Sequence, residues 1–256
     1  MVIELRPTIL GVPFDPVTLG EALQRLLAML HGSTQNPASA EATVGRHVMT
    51  PNNEMLVEGT RNPEVLKVMQ GTALNLPDST GVVWAARRQG TPLKERVTGV
   101  DTVLTLMGAI DAEHTVFFLG AAPGVAEKAA EYLTFQFPRL RVVGTFAGSP
   151  KEEDAPGIIQ KINASGARIL LVAYGAPKQD LWIHKHLKEL SHVQIAMGVG
   201  GTFDFFAGVR KRAPLFLRRV GLEWLWRLIL EPSRWKRIFT AVVVFPLKVL
   251  RTSLHA

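Results

Sequence analysis

Thr115-Val116-Phe117-Phe118-Leu119 enters Gly120-Ala121-Ala122-Pro123-Gly124, and a helix is expected from Val125 to about Phe135. An apolar strand, a glycine-rich turn and a helix in succession form one strand-turn-helix unit. The pattern repeats outward from it. Toward the C-terminus, strands are expected at 141–143, 168–173 and 193–197, with helices at 152–163 and near 178–190. Toward the N-terminus, residues 9–12 read as a short apolar strand, and Thr18 with Glu21 three residues on forms a capping box for a helix reaching about Leu30. Residues 47–50 read as a strand ending in Pro51-Asn52-Asn53. Asn62-Pro63 opens a helix, residues 73–76 form a strand that delivers Asp78, and 81–88 read as helix. Residues 31–45, rich in Ser, Ala, Thr and Asn, read as a loop. Strand-helix alternation of this kind implies an α/β fold, a Rossmann-like, largely parallel sheet covered by helices. No internal repeat is visible.

At 256 residues the chain can bury a full core. Its formal charge of +7 calls for an anionic partner, but eleven of the 29 Lys and Arg residues lie from Arg210 onward, against two acids there. The excess charge is local. Composition turns basic and aromatic near 205–212, which divides the chain into an α/β core of residues 1–205 and a basic, amphipathic helical appendage of residues 206–256. Within the appendage Leu222, Leu225, Trp226 and Ile229 fall at i, i+3, i+4, i+7, and Trp235, Ile238, Phe239 and Val242 repeat the spacing after Pro232. Such stripes either cover a core or lie on a membrane interface, and arginines mixed with Trp and Leu suit an anionic, half-apolar surface. The best apolar stretch, 238–247, is ten residues with Pro246 inside it, where a spanning helix needs about 20. Zero cysteines exclude disulfides, thiolate metal sites and a Cys nucleophile. Glu4, Arg6 and Pro7 stand where a signal peptide needs a continuous apolar core, so none is expected.

In open α/β sheets ligands sit outside the carboxyl ends of the strands. Five stretches follow strands here: Thr50 to Asn53, Asp78, Gly120 to Gly124, Gly175 to Asp180, and Gly198-Val199-Gly200-Gly201-Thr202-Phe203-Asp204. They are expected to converge on one rim. Gly-rich turns before helices favour phosphate, but neither G-x-G-x-x-G nor G-x-x-x-x-G-K-[ST] occurs at these turns. No Asp-x-Asp is present, and His184 and His186, two apart, point to different sides of a helix. Neither a metal site nor a cofactor is therefore expected.

Thr50-Pro51-Asn52-Asn53-Glu54, Leu76-Pro77-Asp78, Arg96-Val97-Thr98-Gly99-Val100-Asp101, Ala176-Pro177-Lys178-Gln179, the Gly198-to-Asp204 turn, Arg212-Ala213-Pro214 and Gly221-Leu222-Glu223-Trp224 with Arg227 resemble, in order, the WecG/TagA/CpsF family of bacterial glycosyltransferases. The resemblance runs from about Ile9 to Phe239. It implies an inverting transferase that moves a sugar, N-acetylmannosamine or its uronic acid in type, from a UDP-sugar donor to a polyprenyl-diphosphate-linked acceptor. Such an enzyme works in cell-surface polysaccharide or teichoic acid synthesis and is held peripherally on the cytoplasmic face of the membrane.

By that resemblance Asp78 is the general base for the acceptor hydroxyl; as plain chemistry it is otherwise a cap for the helix that follows. This chain has Ser79-Thr80-Gly81 where the family places Gly directly after the Asp. Thr50 and Asn52, ahead of Asn53, are candidates to bind the donor sugar or its phosphate, with a simple Asx turn as the alternative. Gln179, Gly200 and Asp204 resemble nucleotide-binding positions. The family prefers Glu after this Gln, whereas Asp180 carries the charge on a shorter arm. Asp101 either contacts the sugar or serves as an acid at a helix N-terminus. Arg227, Arg234 and Arg237 match tail positions expected to neutralise a diphosphate. Arg210, Lys211, Arg212, Arg218 and Arg219 are expected to face headgroups or water, and Lys178 to be a solvated cap. A nucleotide-cofactor oxidoreductase and a basic nucleic-acid-binding module are the alternatives. The first lacks its glycine fingerprint and the second any recognised motif, so no nucleic acid is expected as partner. The oligomeric state is open.

Overall fold

A computed structural model describes residues 6–31 and 45–252; the side chain of Arg219 and the expected 31–45 loop, from residue 32 to 44, lie outside the described set. A tight antiparallel hairpin, β1 (Thr8–Ile9) and β2 (Val12–Pro13), opens the chain, with Leu10 and Gly11 at positive φ in its turn. The single strand expected at 9–12 is thus two, because a left-handed turn reverses the chain inside it. Six further strands form one parallel sheet: β3 (Arg46–Met49), β4 (Leu74–Asn75), β5 (Val116–Gly120), β6 (Val142–Phe146), β7 (Ile169–Ala173) and β8 (Ile195–Gly198). Their order is β4-β3-β8-β7-β5-β6, and every neighbouring pair runs parallel.

The strand-turn-helix unit at 115–136 lies inside this sheet. All five β5 residues are buried, and the period of two sends them to opposite faces. Val116 and Phe118 pack with Leu26, Leu30, Val103 and Leu106, under the helices Leu19–His31, Gly99–Ala109 and Val125–Gln136. Phe117 and Leu119 pack with Ile158, Ile162, Trp182 and Ile183, from the helices Ala155–Ser165 and Lys178–His186. Covering both faces explains the unbroken apolar run. The capping box forms as expected: Thr18 N donates to Glu21 Oε2 at 2.8 Å and Glu21 N to Thr18 Oγ1 at 3.2 Å.

The appendage begins inside the short helix Thr202–Phe206 and continues through the helices Leu215–Arg219, Glu223–Leu230 and Trp235–Phe239, a π-helical turn Thr240–Val244, and the helix Phe245–Thr252. Its last helix returns to the core. Phe245 and Val249 are fully buried among Met49, Leu56, Val82 and Ala85. Elsewhere the appendage leaves apolar side chains outside: Phe216, Ile229, Trp235 and Phe239 are all more than half exposed. Among the described residues no helix is long and apolar enough to cross a membrane.

Candidate active site

After β5 the chain crosses toward β6 at the sheet edge, and after β7 it crosses toward β8, so the two connections diverge at the carboxyl ends of β5 and β7. Divergence of this kind opens a crevice. There a cleft of about 480 Å³ is lined by residues from all five stretches that follow strands, together with tail residues Glu223, Trp224, Arg227, Arg234, Arg237, Ile238 and Val242.

Asp78 lies three residues beyond β4, with its backbone held from both sides. Its N–H faces the Pro51 carbonyl at 3.4 Å, and Val97 N donates to the preceding carbonyl of Pro77 at 2.9 Å. It is not a helix cap. That role falls to Ser79, whose Oγ accepts from Val82 N at 3.3 Å at the start of the helix Thr80–Arg88. Four carboxylates line the cleft, and three are paired with arginines: Glu54 with Arg237 at 2.6 Å, Asp204 with Arg210 at 3.4 Å, and Glu223 with both Arg96 and Arg227 at 3.3 Å. Among the described residues, Asp78 alone of the four has no ion pair. Burial pushes its carboxyl from the ordinary 3.8 up to about 7; the Arg96 and Arg227 charges pull it down, Glu223 pushes it up, and a hydrogen bond from the Gly99 backbone pulls it down.

Opposite stands a cluster of arginines. Arg210 shares Glu231 with Arg234, at 3.4 and 3.1 Å, and Arg227 lies over the Phe205 ring. Arg234 is held below the ordinary guanidinium range, by burial first and then by Arg237, while Glu231 opposes and Arg210 and Arg227 add to the repulsion. An arginine stays charged regardless, so the direction registers the cost of burying its charge first and repulsion from neighbouring cations second, both of which an anion would relieve.

The remaining expected residues fall into three groups. Thr50 and Gly200 line the cleft, and Gly200 is at positive φ. Asn52 and Gln179 line it with their carbonyl oxygens already engaged. Asn52 Oδ1 accepts from Glu54 N and Met55 N as the cap of the helix Asn53–Gly59, and Gln179 Oε1 accepts from Gly175 N at 3.1 Å and Gly200 N at 3.0 Å. Gln179 thus joins two glycine turns. Beneath them Gly198 has no room for a Cβ, since the Asp180 carboxylate and the Gln179 amide fill the space. Asp101 does not line the cleft. Arg212 grips it with two bonds, 2.6 and 2.7 Å, and Thr98 donates at 2.6 Å. Burial alone would raise its carboxyl, but Arg212 and Thr98 hold it below the ordinary range.

Arg210 and Arg212 line the cleft rather than face headgroups or water. Arg96 and Glu223 were within reach of sequence reasoning, since both stand in the quoted motifs, yet only their pairing across the cleft reveals what they do. Among the described residues no three His, Asp or Glu side chains gather as a metal-ligand set.

The parallel sheet, the rim of strand ends and the basic helical tail agree with the comparison of sequences: the chain belongs to the glycosyl transferase WecG/TagA/CpsF family, matching it over residues 7–256. The protein is a glycosyltransferase. It is similar to the N-acetylglucosaminyldiphosphoundecaprenol N-acetyl-beta-D-mannosaminyltransferase of Bacillus spizizenii strain W23, 36% identical over 197 residues that cover 77% of this chain and 76% of that protein. The enzyme of the same name from Bacillus subtilis strain 168 is 30% identical over 209 residues, 81% of this chain and 80% of that one. That from Staphylococcus aureus strain MRSA252 is 27% identical over 246 residues, 95% and 91%.

Proposed function

We propose that the protein transfers an N-acetylmannosamine-type sugar from a UDP-sugar to a GlcNAc acceptor carried on a polyprenyl diphosphate, at the inner face of the cell membrane and with inversion at the anomeric carbon. One observation carries the reading: the single unpaired carboxylate of the cleft, held near neutrality, faces an arginine cluster whose members repel one another. Inverting transfer needs those two things. A base removes the proton from the acceptor hydroxyl as its oxygen attacks the anomeric carbon, and cations take up the charge that develops as the bond to the nucleotide diphosphate breaks. Asp78 is the base in this reading, and Arg227, Arg234 and Arg237 neutralise diphosphate. The β configuration in the relatives' name supports inversion, because an α-linked nucleotide sugar gives a β product in one displacement.

The glycine turns joined by Gln179, with Gly200 and Asp204, form the donor side, and Thr50 and Asn52 face the sugar. Asp101 acts at one remove, holding Arg212 in the wall. No divalent metal is required, since guanidinium groups occupy the place where cation charge is needed. The exposed Trp235, Phe239, Ile229 and Phe216, interleaved with basic residues, dock on anionic lipid and present the acceptor to the cleft. Membership of this family leaves the oxidoreductase and nucleic-acid readings without support. The test is incubation with a panel of UDP-sugars and a short-chain lipid-diphosphate-GlcNAc acceptor, with the product mass identifying the sugar. Failure of every UDP-sugar, with transfer from a different nucleotide sugar, would refute the donor assignment.

A further inference from the structure

Asn53 sits where three parts of the molecule meet, and both ends of its amide are engaged. Nδ2 donates to the Ala241 carbonyl at 2.8 Å, and Oδ1 accepts from Ser79 Oγ at 2.6 Å. Ala241 lies in the π-helical turn, where Phe245 N–H bonds the Thr240 carbonyl, one residue further back than in an α-helix. In that register the donor due to Ala241 is the N–H of residue 246. Residue 246 is proline and has none. The turn therefore leaves one carbonyl without a helical partner, and Asn53 supplies the donor from the core. The amide is walled in on the core side as well: a Cβ on Gly81 would collide with it. Ser79, its other partner, is the residue next to Asp78 and the cap of the following helix.

The geometry points to Asn53 as a positioning residue that latches the tail to the loop carrying Asp78. By fixing the Ala241 turn against Ser79 it sets where Arg234, Arg237 and Ile238, three to seven residues before that turn, stand in the cleft wall. Ser79, the residue next to Asp78, gives the latch its core-side anchor. This inference rests on the transferase reading for its catalytic half, whereas the docking of the tail is measured independently of activity.

The experiment compares Asn53→Asp and Ser79→Gly with the full-length wild-type protein. Asn53→Asp keeps an acceptor for Ser79 and removes the donor to Ala241; Ser79→Gly removes the anchor and keeps that donor. Hydrogen exchange at residues 240–252 is expected to quicken about tenfold or more in Asn53→Asp and by less in Ser79→Gly. With UDP-sugar and short-chain acceptor, kcat is expected to fall about 10- to 100-fold in Asn53→Asp, while the dissociation constant for UDP stays within about twofold. A purely structural role would lower thermal stability and leave that split absent. Unchanged exchange in Asn53→Asp overturns the latch, and so does a loss of UDP affinity as large as the loss of kcat, which would make Asn53 a donor contact. If the wild-type protein transfers no sugar, the transferase reading fails, and the exchange data still decide whether the tail is latched.

Discussion

Asp78→Asn removes the one cleft carboxylate without an ion pair and keeps the shape of its side chain. Two effects follow, and the structure sets both. Loss of a general base costs about 10²- to 10⁴-fold in kcat, or about 3–5 kcal/mol of barrier. The second effect is on stability. A carboxyl moved from 3.8 to about 7 disfavours the charged form in the folded state by about 4 kcal/mol, at about 1.4 kcal/mol per pH unit, and part of this is offset by water in the open cleft. The sign follows from proton uptake: between about pH 4 and 7 the folded state binds the proton more tightly than the unfolded one, so wild-type stability falls as pH rises through that window. The Asn variant lacks this slope. It should therefore match the wild type near pH 4 and exceed it by about 2–4 kcal/mol above pH 7, read by chemical denaturation at several pH values. In the wild type, kcat/KM should lose a factor of ten per unit on the acid side of about pH 7, as the base becomes protonated. An Asn variant with wild-type turnover, or one no more stable than wild type at pH 8, would refute the reasoning.

Glu223→Gln removes the negative neighbour that pushes Asp78 up and should move the acid limb of the kcat/KM profile to lower pH; a shift to higher pH would mean that freed Arg96 and Arg227 leave the cleft. Turnover after metal removal and in excess EDTA should equal that of untreated enzyme, whereas complete loss restored by Mg²⁺ or Mn²⁺ would show a cation to be required. Trp235→Ser with Phe239→Ser should weaken cosedimentation with anionic vesicles and spare transfer to a short-chain acceptor, because these rings are 57% and 53% exposed. Phe245→Ala should cost about 3–5 kcal/mol in denaturant unfolding, since its ring is fully buried; a cost under about 1 kcal/mol would mean that the last helix is not part of the core.

The sheet was legible in the sequence because its strands are covered on both faces. A run such as Val116 to Leu119 has few other places to go, and the turns and caps around it mark its ends. Asn53–Gly59, seven residues long and starting directly after Pro51-Asn52, gave too little periodicity to read. The site was legible where a side chain follows a strand, as with Thr50 and Asp78, because the topology alone carries such residues to the rim. It was not legible where a role depends on a partner distant in the chain. Asp101 looks the same in sequence whether it meets a sugar or Arg212, and Arg210 looks like a headgroup contact until Asp204 and Glu231 are beside it. The tail shows the same limit. Periodicity finds the stripes, but what covers them depends on the whole fold, which buries Phe245 and Val249 and leaves Trp235 and Phe239 outside.

The pairing of the cleft arginines explains how a cationic cluster is held in place while it awaits an anion. Arg237, Arg210 and Arg227 each add repulsion at Arg234. Glu54, Asp204, Glu223 and Glu231 hold the four arginines, and Glu223 and Glu231 each serve two arginines. Partly exposed pairs of this kind contribute only about 0–1 kcal/mol each, so exchanging one for a diphosphate oxygen costs little. The exchange is also favourable, because charge-assisted bonds from a guanidinium to phosphate are strong and can be bidentate. Six of these eight residues belong to the tail beyond Asp204, whereas Asp78 comes from the core. Asp78 is thus fixed in the sheet rim, and most of the positive charge lining the cleft rests on helices that also carry exposed apolar side chains. In the proposed reaction, docking of those helices on a membrane and the seating of the tail over the cleft would act on the same set of arginines.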